Sequence, residues 1–241
     1  MDQRIAHEIE HGKFLAREGA GEIWNWESPA GKIRWKRRVE MLTGHISPDM
    51  QVLELGCGTG YFTREIIGTG AKITAIDISP DLLNIARSEI RSENITFKEE
   101  NAYNLTFPPA SYDTVVGSSV LHHLDIEKSL SEIFRVLKPG GSMIFTEPNM
   151  MNPQIALQKN IPWLKRKLGD SPDETAFFRW TLFKLLSKIG FRKIEIVPFD
   201  FLHPSIPPKM IGTISKIGNF TEKVPIFKEI AGSLFIRAIK E

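Results

Sequence analysis

Val52-Leu53-Glu54-Leu55-Gly56-Cys57-Gly58-Thr59-Gly60-Tyr61-Phe62 is an apolar run, a glycine-rich turn and the start of a helix. The apolar run predicts a strand at 51–55, buried on both faces. Glycines at alternate positions let the backbone turn sharply and let a ligand approach the main chain closely. Asp77 stands 17 residues beyond Gly60, at the end of a second β-type run, 72–77. An acidic side chain at that place accepts hydrogen bonds from ribose hydroxyls. Strand, glycine turn, helix, strand and acid together predict a site for a nucleoside-bearing ligand.

Working outward, short β-type runs alternate with helical patterns, which predicts an α/β fold with a mostly parallel sheet. Further strands are expected at 95–98, 112–117, 142–147, 192–197 and 234–239. Ser79-Pro80 predicts a capped helix running to about Arg91. Asp125 caps a helix with Leu130, Ile133, Phe134 and Leu137 on one face, stopped by Lys138-Pro139-Gly140-Gly141. Thr181 is the expected cap of a helix ending at Gly190, and Ser171-Pro172-Asp173-Glu174 reads as a capping box for a separate short helix. Three segments fall outside this pattern. Residues 1–47 carry Trp24, Trp26 and Trp35 and a basic cluster of Lys32, Arg34, Lys36, Arg37 and Arg38. Residues 148–172 and 198–232 are broken by prolines, and connections this long usually carry function or helices of their own.

The chain has 241 residues, with 31 Lys+Arg against 29 Asp+Glu. So balanced a charge argues against a cationic nucleic-acid coat. The one cysteine, Cys57, permits no internal disulfide and no cysteine metal cluster. No apolar run approaches a membrane span, and the first residues lack a signal-peptide core, so a cytoplasmic protein is expected.

Two ligand classes use a glycine turn of this kind. Dinucleotides need G-x-G-x-x-G, with the diphosphate on the helix N-terminus. Tyr61 stands where the third glycine of that pattern belongs. The run Glu54-Leu55-Gly56-Cys57-Gly58-Thr59-Gly60, E-x-G-x-G-x-G, instead resembles the first motif of class I S-adenosylmethionine-dependent methyltransferases. The resemblance continues through Ala75-Ile76-Asp77-Ile78-Ser79, Glu100-Asn101-Ala102, Tyr112-Asp113-Thr114-Val115-Val116 with Leu121-His122-His123-Leu124, and Arg135-Val136-Leu137-Lys138-Pro139-Gly140-Gly141. The nearest subgroup acts on small molecules and lipids and includes the quinone-ring enzymes. It implies a single Rossmann-like domain with seven strands in the order 3-2-1-4-5-7-6, the seventh antiparallel. Residues 1–47 would be a helical lid, 48–147 the cofactor-binding core, and 148–241 the substrate side and last strands.

The resemblance also implies roles. Gly56, Gly58 and Gly60 would floor the cofactor site, with Cys57 a small buried residue in the turn. Glu54 would orient the loop or meet the cofactor's amino group indirectly. Asp77 would take both ribose hydroxyls. Ile78 and Leu82 either sandwich the adenine or are simple core. Asn101, Ala102 and Tyr103 would lie at the adenine edge, and Ser118 and Ser119 at the end of strand four. His122 and His123 are candidate general bases, with packing under the cofactor as the alternative. Trp24, Trp26, Arg34, Arg38, Glu147, Asn149 and Asn152 are the substrate-side candidates. Phe199, Phe201, Leu202, Ile206, Met210, Ile211 and Ile214 are expected to wall an apolar pocket or to be core. No metal is expected, since no H-E-x-x-H pattern or comparable cluster is present. Lys159, Lys165, Arg166 and Lys167 read as a solvated stretch, with a membrane surface or anionic substrate as the alternative.

The expected reaction is methyl transfer to a small or lipid-like acceptor, leaving S-adenosylhomocysteine. Gly117-Ser118-Ser119-Val120 stands where adenine-modifying enzymes carry a Pro-Pro-aromatic motif, and no cysteine is placed for cytosine C5 chemistry. A protein or RNA acceptor, a non-catalytic cofactor-binding module, and a nicotinamide oxidoreductase remain as alternatives.

Overall fold

The computed structural model describes residues 3–19 and 25–241. Strands β1 (Gln51–Leu55), β2 (Lys72–Asp77), β3 (Ile95–Glu99), β4 (Tyr112–Ser118), β5 (Leu137–Pro148), β6 (Phe191–Phe199) and β7 (Ser233–Lys240) form one sheet ordered β3-β2-β1-β4-β5-β7-β6. β7 runs antiparallel to β5 and β6, and the other pairings are parallel. This is the Rossmann-like order that the glycine motif and its companions implied.

The helices are α1 (Gln3–Glu18), α2 (Pro29–Thr43), α3 (Thr63–Ile67), α4 (Pro80–Glu89), α5 (Ile126–Val136), α6 (Pro153–Asn160), α7 (Pro162–Lys167), α8 (Arg179–Ile189), α9 (Pro208–Thr221) and α10 (Pro225–Lys228). Alternate residues of the central strands enter two cores, one on each face of the sheet. Leu53, Leu55, Val115 and Phe145 belong to one; Val52, Val116 and Ile144 belong to the other. Ser79 and Asp125 cap α4 and α5 through their side chains, as their positions require.

Local signals and tertiary structure disagree at three places. α8 starts at Arg179, and Thr181 lies within its first turn. Phe177 donates its N–H to Pro148 O, which keeps the chain extended until the helix begins. Residues 171–174 form a turn and not a helix. Half of the capping box is made, with Ser171 N–H donating to Glu174 Oε1 at 2.7 Å, but Thr175 N–H then donates to His122 O and leads the chain away. Residues 138–141 do end α5, yet β5 already starts at Leu137, paired with Tyr112.

α1 packs on α4. Their approach is set by Gly12, where an added Cβ would lie 2.4 Å from Ser79 Oγ. α2 lies against β4 and β5. Both helices of the N-terminal segment therefore sit beside the carboxyl ends of the strands.

The glycines of the turn are not equivalent. Gly56 has φ +66°, and a Cβ there would meet Val120 Cγ2 at 2.3 Å; at Gly60 it would meet Ile90 Cδ1 at 2.3 Å. Gly58 has φ +53°, and a Cβ there would meet nothing within 4 Å. Gly56→Ala is expected to cost about 2–4 kcal/mol, from left-handed strain plus overpacking. Gly58→Ala should cost only the strain, about 1–2 kcal/mol. Urea unfolding of the two variants checks this, and equal losses would refute the distinction.

Candidate functional site

The backbone diverges at the carboxyl ends of β1 and β4, where the strand order reverses, and a cavity of about 870 Å³ opens there. Such a crevice is where open α/β sheets bind ligands, and the volume accommodates a cofactor-sized molecule with a small partner.

One end of the cavity is built by the glycine turn and the strand ends beside it. Glu54, Gly56, Cys57 and Gly58 line it, as do Asp77, Ile78, Leu82, Asn101, Ala102, Tyr103, Ser118 and Ser119. Gly60 does not; a Cβ there would point at Ile90, the residue that ends α4. Asp77 Oδ2 accepts from Gly58 N–H at 2.8 Å and Oδ1 from Ser79 N–H at 2.9 Å. These bonds fix the carboxylate at the turn while each oxygen keeps further acceptor capacity. Glu54 is buried, faces the cavity, and among the described residues accepts only from Thr63 Oγ1, at 2.7 Å. Burial pushes its carboxyl up to about 8, since no cation among the described residues pairs with it. Tyr61 packs edge-on against Trp35 with centroids 4.5 Å apart, and Trp35 also meets Trp26. The residue that breaks the dinucleotide pattern thus belongs to an aromatic wall beside the turn.

The other end is polar and ionic. His122 follows β4 on a single 3₁₀ turn, Leu121–His123. Glu147, fully buried at the end of β5, accepts from the N–H groups of Val120 and Leu121 at 3.0 and 2.8 Å, and lies 2.7 Å from His122 Nδ1. His122 Nε2 lies 3.8 Å from Glu174 Oε2. Glu174 also pairs with Lys159 and stands 3.6 Å from His123 Nδ1 and 3.9 Å from His11 Nε2. His123 Nδ1 is 2.9 Å from Glu8 Oε2, an ion-pair approach.

The two neighbouring histidines are pushed apart electrostatically. Burial, then the charge of His123, hold His122 below its ordinary value despite Glu147. Burial would lower His123 as well, but Glu174 and Glu8 outweigh it and raise His123 to about 9. Burial would raise Glu174, yet His123, His122 and Lys159 hold its carboxyl well below the usual range. At neutral pH the pair therefore presents one neutral imidazole beside one imidazolium, the division that lets adjacent groups serve as base and as charge stabiliser.

His122, His123 and Glu174 also bring three ligand-type atoms within 4.8 Å of one another. The sequence spacing that argued against metal gave no sign of this, because Glu174 comes from a segment about 50 residues beyond the two adjacent histidines. Lys159 and Ser171 N–H already occupy the two oxygens of Glu174.

Of the substrate-side candidates, Trp26, Arg34 and Arg38 line the cavity, and Trp24 lies outside the described residues. Arg34 pairs with Asp200 at 2.7 Å, and Arg38 reaches Ser119, Thr146 and Ser233 across the sheet edge. Arg38 is buried, its Nε has no hydrogen-bond partner, and burial followed by the charge of Arg34 lowers it to about 10. The remaining three candidates are corrected. Glu147 holds the 3₁₀ turn and His122 from behind. Asn149 donates to Glu229 O and Ala231 O, both at 2.8 Å, and Asn152 caps α6 and donates to Ile230 O. None of the three lines the cavity.

The expected apolar wall is also corrected. Segments 148–172 and 198–232 do meet over the strand ends, where Gln154 and His203 lie 2.9 Å apart. They contribute the polar Gln158, Lys159, Asp170 and His203 together with Ile155, Leu168 and Pro204, not Phe199, Phe201, Met210 or Ile214. Phe199 and Leu202 are core, and Met210 is exposed. Lys159, read as solvated, is buried between Asp170 and Glu174. Glu8, His11, Lys159 and Glu174 carried no local signal beyond the Ser171/Glu174 spacing, because only the tertiary fold assembles them.

The methyltransferase-domain family matches residues 53–145. The demethylmenaquinone methyltransferase of Tropheryma whipplei (strain Twist) is 39% identical over 115 residues, 47% of this chain and 47% of that protein. The chain thus matches about half the length of that relative. The demethylmenaquinone methyltransferase of Lactococcus lactis is 31% identical over 192 residues, 68% of this chain and 72% of that protein. A solved S-adenosylmethionine-dependent methyltransferase of Thermotoga maritima superposes with TM-score 0.68 at 20% identity, covering 96% of this chain and all of that one, a likeness of fold.

The raised His123 links stability to pH. A histidine charged to about 9 when folded and titrating near 6.5 when unfolded stabilises the fold fully below pH 6.5. That stabilisation fades as pH rises through 9. His123→Gln should therefore lose roughly 1–3 kcal/mol relative to the parent near pH 6, and far less near pH 9.5. Urea unfolding at both values checks it; a pH-independent difference would refute the coupling.

Proposed function

The chain belongs to the class I S-adenosylmethionine-dependent methyltransferases, and from that premise we propose that it methylates a small-molecule acceptor carrying an ionisable hydroxyl, such as a phenol or enol. The observation that supports this most directly is the cavity's division. A glycine-turn end with Asp77 and an uncompensated Glu54 adjoins an end holding the His122–Glu147 pair.

The residues fit the cofactor. Open space over Gly58 leaves room against the main chain, and Asp77 keeps acceptor capacity for two hydroxyls. Asn101, Ala102 and Tyr103 lie where an adenine edge would rest, with Ile78 and Leu82 beside them. Glu54 is a buried carboxyl group that burial pushes up to about 8, suited to a ligand that brings a cation. The orphaned Nε of Arg38 offers a donor for a carboxylate. Bound there, S-adenosylmethionine supplies an electrophilic methyl group.

The protein's own work is orientation and proton handling. Glu147 accepts from His122 Nδ1–H, which leaves Nε2 as the basic atom, able to take a hydroxyl proton from an acceptor. The His123 imidazolium stabilises the resulting oxyanion electrostatically. α1 and α2 act as the lid, excluding water from the ionic end. The lid is attached by ionic contacts as well as by its tryptophans: Glu8 to His123 and Ser171, and His7 to Asp173. The quinone-ring chemistry in the relatives' names supports an enolic or phenolic acceptor in the same way, since loss of its proton activates either oxygen or ring carbon.

Asp77→Ala should weaken S-adenosylmethionine binding by about 1.5–3 kcal/mol in titration calorimetry, through lost charged hydrogen bonds. His122→Gln should leave cofactor affinity within a few-fold and lower turnover by about 10²–10⁴, followed as label from methyl-labelled cofactor entering a panel of phenols and enols. Unchanged affinity in the first variant removes Asp77 from the site, and unchanged turnover in the second removes the base.

A further inference from the structure

Fourteen large hydrophobic side chains are exposed among the described residues, and nine of them lie in segments 148–172 and 198–232, a quarter of the chain. A concentration of this kind marks an interaction surface and not the usual scatter. Its centre is α9. Met210, Ile217 and Phe220, at 51%, 56% and 69% exposure, follow the i, i+7, i+10 spacing that forms one stripe on a helix. Lys209 and Lys216, seven apart, lie on the immediately adjoining stripe, Lys223 follows two residues past the end of the helix, and all three are exposed. The opposite side of α9 faces the protein, where a Cβ on Gly218 would touch Phe201 Cβ at 3.1 Å. Directly after α9, Ile226 and Phe227 are 80% and 56% exposed, and across the segment pair Trp163 is 59% exposed beside Arg166 and Lys167.

The charge on this surface has one sign. Every acidic residue of the two segments is held in an internal ion pair: Asp170 with Lys159, Asp200 with Arg34, Glu222 with Arg37 and Glu229 with Arg179. Lys209, Lys216 and Lys223, with Arg166 and Lys167, have no ion-pair partner among the described residues. Apolar side chains flanked by unpaired cations, with acids withdrawn into the fold, are complementary to an anionic bilayer. A protein partner would more usually meet a concave or mixed-charge surface. No helix among the described residues is long and apolar enough to cross a membrane, so the contact is peripheral.

We propose that α9, with α10 directly after it, docks the protein on anionic lipid bilayers by inserting its apolar stripe while Lys209, Lys216 and Lys223 meet the headgroups. The same two segments supply Gln154, Leu168 and His203 to the cavity wall, so docking places the cavity beside the lipid surface. The proposal rests on the surface alone and does not depend on methyl transfer.

The test is co-sedimentation of the full chain with phosphatidylcholine vesicles and with vesicles containing 30% phosphatidylglycerol. The expected result is binding to the anionic vesicles, at least tenfold weaker to the neutral ones, and release by 0.5 M salt. K209E/K216E/K223E and, separately, I217S/F220S should each reduce binding at least tenfold, with thermal unfolding and cofactor affinity like the parent's. No binding to anionic vesicles, or binding that both variants retain, overturns the proposal. So does a concentration-dependent dimer in sedimentation velocity that I217S/F220S abolishes, since the surface would then pair with its own copy.

Discussion

The buried carboxylate of Glu147 is the contact on which the ionic end of the cavity depends. It takes the N–H groups of Val120 and Leu121 and the Nδ1 of His122 at the point where β5 ends beside the 3₁₀ turn. A carboxylate with no solvent exposure is tolerated only when its oxygens are filled with donors. The turn after β4 meets that requirement by presenting its free N–H groups, and the turn is in return held in one conformation. The imidazole direction follows: with Nδ1 committed, only Nε2 can face the cavity.

Around this fixed point the ionic groups are arranged in an order that sets their charges. Glu174 receives His123, His122 and Lys159 together, so its carboxylate stays charged despite burial. That charge, with Glu8, keeps His123 cationic, and cationic His123 helps keep His122 neutral. Two of the participants, Glu8 and His11, come from α1, and Gly12 lets that helix approach Ser79, two residues beyond Asp77. One helix therefore closes over both ends of the cavity, and its attachment reads the protonation of the groups it covers. The division between the histidines therefore depends on the docking of α1, which supplies Glu8 to His123.

The cofactor end was legible in the sequence because it is local. A strand, a turn and an acid at the next strand end are set by short-range patterns; Asn101, Ala102, Tyr103, Ser118 and Ser119 are expected from the resemblance, and they line the cavity as well. Gly60 is the exception there: its glycine answers to Ile90, a contact between α4 and the turn that spacing does not reveal. The ionic end was illegible because its members are far apart in sequence. Glu147, Asn149 and Asn152 sit after strand five, where ligand-contacting residues are common, yet each is spent on backbone groups. Glu174 looked like a helix cap and does make that bond, but on a turn, with its other oxygen turned into the cavity. The basic cluster of α2 looked like an anion site; in the fold Arg34 and Arg37 secure the segment after β6 through Asp200 and Glu222, and only Arg38 Nε is left over.

This split also limits what kinship can say about the acceptor. The family match at 53–145 spans the glycine turn, Asp77, Asn101, both serines and both histidines. Glu8, His11, Glu147, Lys159 and Glu174 all fall outside it. The matched stretch carries the glycine turn and the imidazoles; the charge state of those imidazoles is decided by residues outside it. A relative with the same histidines but an apolar residue at the place of Glu174 would carry a His123 that burial depresses instead of raises. It would then offer two neutral imidazoles and no cation to an oxyanion. In this chain the charge of His123 is therefore set by Glu8 and Glu174, carboxylates that α1 and the segment after β5 bring to the pair of rings.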